Sequence, residues 1–176
     1  MSRTSLFPGL MRGDFAALHS QVQAVHSGTG GRWQGRASVQ RGTHVLLRIA
    51  AAVAGLPISQ RDAATVVTIE AIGDREIWTR QFGTAAPMRS TLSARSGLLV
   101  EQLGLITMQF QIVARDGGMI WDLRHIAFLG IPLPRRCLQV QAGAEPGGAG
   151  YRFFVAVRVP GLGDLISYEG ELDVPG

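Results

Sequence analysis

A permanent positive charge sits in the middle of an aromatic face in REIWTRQF, residues 75–82. Strand alternation places Glu76, Trp78, Arg80 and Phe82 on one side and Arg75, Ile77, Thr79 and Gln81 on the other. A guanidinium is not deprotonated in a protein, so an inward Arg80 needs a partner. In a barrel with a ligand cavity, a cation between Trp78 and Phe82 is an anchor for a carboxylate or phosphate head group, and the rings hold the apolar part. With no partner for the charge in view, Arg80→Met is expected to keep the fold and to weaken acidic ligands by ~1–3 kcal/mol. The competing arrangement turns this face to solvent, with Arg80 stacked on Trp78 or paired with Glu76. Ile77 and Thr79 make the opposite face apolar enough to keep both arrangements open.

A second candidate face lies in MIWDLRHIAF, residues 119–128, where Trp121, Leu123 and His125 alternate with Asp122 and Arg124. His125 beside Trp121 has the placement of a base or ligand contact facing a cavity. No partner acid accompanies it, and a rim histidine donating to a backbone carbonyl fits the same pattern. The remaining chemistry is sparse. His19 and His26 share a helical face but stand ~10 Å apart along the axis, and no Cys/His group has metal-ligand spacing. The Gly-rich GTGGRW precedes a strand instead of opening a helix, so it reads as a turn and not a phosphate cradle. No serine lies in a G-x-S-x-G elbow. Cys137, in RCLQVQA, reads as a small half-buried strand residue with no orienting base. No catalytic residue, metal or cofactor is therefore expected.

The elements that would position these residues change period along the chain. Residues 13–27 carry Phe15, Leu18, Val22 and Val25 at helical spacing after Asp14, an N-cap candidate, and stop at Gly28. RWQGRASVQRG is a strand, and His44 to Ala54 a helix ended by Gly55 and Pro57. From residue 63 the period is two: segments at 65–72, 75–82, 88–95, 98–103, 105–115 and 119–128 are joined by hairpin-length turns, and three more strands follow. That pattern excludes a parallel βαβ sheet. A mainly β fold is expected: an antiparallel meander of about ten strands closed into a calycin-like barrel or half-barrel. It carries an N-terminal helix and a helix between its first two strands. A helix-grip α+β fold is the alternative, but LISYEGELDV at the end reads as a strand. One domain over 1–176 is expected, with 1–30 a helical segment and 31–176 the β part.

Composition narrows the class further. Hydrophobic residues make up 46%, and no apolar run spans a bilayer as a helix. The first residues lack a signal-peptide pattern, and the lone cysteine agrees with a reducing compartment, so a cytoplasmic protein is expected. The net charge is +4, and every cation is arginine. They are scattered, with Arg135-Arg136 the one adjacent pair, which argues against nucleic-acid binding.

GRWQGRASVQRG, AGLP, VTIEA, WTRQFG, RSGLLVEQLG and LGIPLP, in this order, resemble an uncharacterised bacterial family, domain of unknown function 4166. The resemblance covers nearly the whole chain and implies no established activity. It marks Trp33, Trp78, Arg80 and the LGIPLP loop as family-typical positions. In that family the domain occurs alone or beside dehydrogenase-like or epimerase-like domains, which implies such a protein as a partner. The expected ligand-binding residues are thus Trp33, Trp78, Arg80, Phe82, Trp121 and His125. The leading function is a non-catalytic module that binds an apolar or amphipathic anionic small molecule. The alternatives are a small cofactor-free enzyme using a barrel cavity and a docking partner of a dehydrogenase-like protein.

Overall fold

A computed structural model describes residues 6–148 and 150–175. Among them, the alternating segments form strands β1 (Gly31–Arg41), β2 (Gln60–Ile72), β3 (Arg75–Phe82), β4 (Met88–Arg95), β5 (Leu98–Leu103), β6 (Ile106–Arg115) and β7 (Gly118–Phe128). The chain continues through β8 (Ile131–Pro132), β9 (Gln139–Pro146), β10 (Tyr151–Val159) and β11 (Gly163–Leu172). Three α-helices, α1 (Leu6–Met11), α2 (Ser20–His26) and α3 (Val45–Val53), and two 3₁₀ turns (Arg12–Ala17 and Arg135–Cys137) complete the described elements.

Each strand from β1 to β7 pairs antiparallel with the next; β9 joins β7 to β10, and β11 returns to β1. The result is the closed antiparallel barrel that the meander predicts, with β8 a two-residue addition to β7. Closure joins the two ends of the meander, and the main unpaired edge it leaves among the described residues is where β7 and β9 diverge beyond their short ladder. The β1–β11 seam is tight. A side chain on Gly35 would strike the Glu171 carbonyl, and one on Gly170 would strike the Arg36 carbonyl, so both positions need glycine for the two backbones to cross. By contrast, the β7–β9 ladder is confined to Met119–Ala144 and Ile120–Gly143.

Antiparallel order sorts the connections onto two ends. One end receives α1 and α2, which act as a stopper: Phe7 is fully buried, its ring 4.3 Å from that of His26 and 5.7 Å from that of Trp121. The other end, the mouth, carries α3, the 83–87 loop, the β5–β6 turn and the 129–138 connection. Among the described residues no helix is long and apolar enough to cross a membrane.

Four local expectations need correction. The helix read over 13–27 is interrupted. Leu18 is extended, and His19 caps α2 by accepting from the Gln21 amide while its own amide donates to Gly117 O at 2.8 Å. That tether to the β6–β7 turn outweighs the continuous helical periodicity. Residues 12–17 form a 3₁₀ turn, and α1 precedes it, within the 1–30 segment read as helical but ahead of the helix placed at 13–27. β2 begins at Gln60, earlier than the alternation alone marks. Cys137 lies exposed in a 3₁₀ turn over Arg135–Cys137, ahead of β9, and is not a half-buried strand residue. The Pro132-Leu-Pro134 run explains that shift, because proline cannot donate to a ladder.

Candidate functional site

The opening ambiguity over β3 is resolved by burial. Glu76, Trp78, Arg80 and Phe82 are all buried and face the barrel interior. Arg80 is only 8% exposed, and its guanidinium carbon lies 5.1 Å from the Trp78 ring centroid. It donates to Ser90 Oγ at 3.0 Å on the adjacent β4, and to Glu101 Oε1 at 3.3 Å on β5. The Trp78–Ser90 register makes Ser90 a diagonal neighbour of Arg80, and Leu92–Glu101 pairing aims the carboxylate back across β4. Burial works against the charge on Arg80, but Glu101 together with the neighbouring Tyr168 and Tyr151 more than offsets it and holds the guanidinium more firmly protonated than usual. The partner that an inward arginine requires is therefore internal.

Around this ion pair lies a cavity of about 240 Å³. Its wall is mostly apolar, and its polar contributors are Arg80, Glu101, Tyr151, Tyr168 and the Trp78 indole. It runs from Val25 of α2 toward Leu133 and Cys137 at the mouth, along the side where the β7–β9 ladder stops. Tyr151 meets His26 Nε2 at 2.9 Å. Burial raises the Tyr151 phenol above its ordinary range, and burial pushes Tyr168 up to about 12, so both stay protonated donors at neutral pH. Among the described residues no side chain hydrogen-bonds the Tyr168 hydroxyl, although its ring packs 5.4 Å from that of Phe82.

Of the residues expected to bind ligand, Trp78, Arg80 and Trp121 line this cavity. Phe82 is fully buried behind it, against Tyr168. Trp33 is half-buried, and its ring folds over Gly31 at the stoppered end of β1. Neither lines the cavity. His125 is a correction: its side chain is exposed. The ladder pairs Gln109 with His125 but Phe110 with Leu123, so Arg124 is an extra residue in a β-bulge. One extra residue reverses the facing of everything after it, which sends His125 outside and brings Ile126 in.

Sequence reasoning missed Glu101, His26, Tyr151 and Tyr168. Glu101 was findable by the argument used for Arg80, since Leu99, Glu101 and Leu103 share an otherwise apolar face. The tyrosines follow similarly: Tyr151 alternates with Phe153, and Tyr168 with Ile166. His26 carried no signal, because its burial depends on how α2 docks.

That docking has a pH consequence. Burial, reinforced by the charge of Arg80, lowers His26 from 6.5 to about 3. The unfolded chain takes up a proton on this histidine below ~6.5 while the folded one does not. Stability is therefore whole above that pH and falls as pH drops toward 3, by up to ~1.4 kcal/mol per unit. Glu76 runs the other way: burial raises its carboxyl, partly offset by the Trp78 indole N–H at 2.9 Å, so its contribution is lost as pH rises above its unfolded value. Comparing wild type with His26→Gln, which can still bond Tyr151, isolates the histidine. Urea unfolding at pH 7 and 5 should give wild type the larger loss. Equal losses would mean that His26 is not held neutral.

A search of curated proteins finds no match to this chain. Among solved structures, the apo form of Caenorhabditis elegans lipid binding protein 8 (LBP-8) is similar at 12% identity and a TM-score of 0.43, over 82% of this chain and 94% of that one. The model of one family, described as a domain of unknown function (DUF4166), matches residues 18–172, which takes in every strand of the barrel, the ion pair and the whole cavity wall. By that match the chain belongs to the DUF4166 family.

Proposed function

We propose that this barrel is a binding module for a small amphipathic molecule, with its apolar part in the cavity and its head at Arg80, Glu101 and Tyr168. The observation that carries this reading is an apolar chamber whose polar groups converge on one patch, the usual plan of a ligand site. At about 240 Å³ it suits a ligand smaller than those of typical drug-sized pockets. The head is neutral and accepts hydrogen bonds, as a hydroxyl or carbonyl does. Glu101 already balances Arg80, so a second carboxylate would bury excess negative charge. The free Tyr168 hydroxyl supplies the donor. This narrows the expectation of an amphipathic anion to a neutral amphiphile.

Titration with a medium-chain alcohol and the carboxylate of equal length, at neutral pH, tests it. Wild type should bind the alcohol more tightly, and Tyr168→Phe should weaken that by ~1 kcal/mol, the worth of one hydrogen bond. Glu101→Gln should invert the preference, because the carboxylate then becomes the counter-ion of Arg80. Wild type that prefers the carboxylate would overturn the neutral head. Failure to bind either chain would overturn the module itself.

A further inference from the structure

The two ends of the barrel differ in chemistry. At the stoppered end the hairpin turns are Gly73-Asp74, Ser96-Gly97 and Asp116-Gly117, which are polar. At the mouth they are Gly104-Leu105, Leu129-Gly130 and Pro160-Gly161-Leu162. Apart from Ile72 and Val113, every large exposed apolar side chain among the described residues belongs to the mouth. The helix α3 shows it most clearly. Leu47 and Ala51 are buried against the barrel, yet Leu46, Ile49 and Val53 stand out on the other side, Val53 at 71% exposure. A helix apolar all round is ordinarily covered on every side. Leu129 adds strain to exposure: φ is +52° and the side chain is 61% exposed. A bulky residue at positive φ is an outlier where glycine or asparagine would sit without cost.

Charge follows the same division. The connections at the mouth, residues 42–59, 83–87, 104–105, 129–138 and 160–162, contain Arg48, Arg135 and Arg136 and no aspartate or glutamate. Arg89 stands one residue into β4. The acids nearest in sequence are already paired, Asp62 with Arg36 at 2.5 Å, Glu101 with Arg80 at 3.3 Å and Asp164 with Arg158 at 3.6 Å.

We infer that the mouth of the barrel docks on an anionic lipid bilayer, with α3 and the 129–133 turn inserted at the headgroup level and the arginines on lipid phosphates. Aliphatic side chains from separate connections, interspersed with cations and no acids, match an interfacial anchor. They match a protein hot spot poorly, since those favour tryptophan and tyrosine over valine and leucine. A second copy of the chain is disfavoured because a self-complementary contact would set arginine against arginine. The inference does not rest on the ligand reading, since it concerns the outer rim and not the cavity.

Vesicle flotation decides it, with phosphatidylcholine alone and phosphatidylcholine mixed with an equal part of phosphatidylglycerol. Wild type should float with the anionic vesicles and be released as salt is raised. Ile49→Ser with Val53→Ser should weaken binding about tenfold or more, given the apolar area these side chains offer. Arg135→Gln with Arg136→Gln should cost about fivefold per arginine. The controls Ile72→Ser and Val113→Ser, away from the mouth, should bind as wild type does. No flotation with anionic vesicles at low salt, or loss shared equally by the controls, would overturn the inference. A dimer in sedimentation velocity that Ile49→Ser with Val53→Ser dissolves would overturn it in favour of self-association. Retention on soluble polyglutamate equal to that on vesicles, and indifferent to the α3 changes, would overturn it in favour of an acidic protein.

Discussion

Arg80→Met lowers folding stability by about 3–5 kcal/mol, because it strands the Glu101 carboxylate inside the barrel without its cation. The sequence alone predicts a retained fold for this change, since it shows no partner for Arg80. The 3.3 Å contact with Glu101 reverses that expectation. Glu101→Leu alone is comparably harmful, as it leaves a buried guanidinium held only by Ser90 and the Trp78 face. Combining Arg80→Met with Glu101→Leu should recover most of the loss, because replacing a whole buried ion pair by apolar groups is often neutral. The Ser90 hydroxyl then lacks its donor, so recovery stops short of complete by ~1 kcal/mol. Urea denaturation of the four proteins forms a double-mutant cycle. Strict additivity of the two single losses, or an Arg80→Met protein as stable as wild type, would show that the pair is not an energetic unit.

Gly35→Ala is expected to cost about 3 kcal/mol or more, a large effect for one methyl group. The backbone angle is not the reason. The new Cβ would meet the Glu171 carbonyl and lie 2.8 Å from Leu172 Cα, both backbone atoms that cannot rotate away. Relief requires β11 to lift from β1 beside Leu172, a residue only 1% exposed, and the Asp173 N–H to Gln34 O bond of 2.8 Å lies in the same place. Hydrogen exchange should show the loss concentrated at 169–173. As a contrast, Gly13→Ala, where the added Cβ meets nothing within 4 Å, should be nearly silent. A Gly35→Ala protein that melts with wild type would mean that the seam is looser than the contacts require.

Much of this barrel is legible because period-two alternation survives closure. The β3 to β6 segments carry their apolar residues on the enclosed side, and the turns at 96–97 and 116–117 supply two successive positive-φ residues. Alternation fails where the backbone inserts a residue. The bulge at Arg124 has no composition of its own, so His125 could not be distinguished from an inward residue. The helix over 13–27 fails for a different reason, since its break depends on a hydrogen bond to Gly117, far away in sequence. For the site, alternation marks Arg80 and Glu101 equally well as charges on apolar faces. What it cannot show is that β4 brings them within reach. Pairing two such charges is a topological inference that needs strand order as well as periodicity.

The same strand order has a consequence for synthesis. β1 leaves the ribosome before the other strands of the barrel, but its second neighbour, β11, consists of residues 163–172. Local hairpins from β2 through β7 can assemble as the chain emerges. The Gly35–Leu172 pairing cannot, because the two residues are separated by most of the chain. Until β11 arrives, the nascent sheet exposes one edge of β1 and the apolar lining of the future chamber, the kind of surface that recruits chaperones or aggregates. Barrel closure thus waits for β11, the last strand of the barrel to be made, and a truncation that removes β11 should yield an insoluble open sheet and not a smaller barrel.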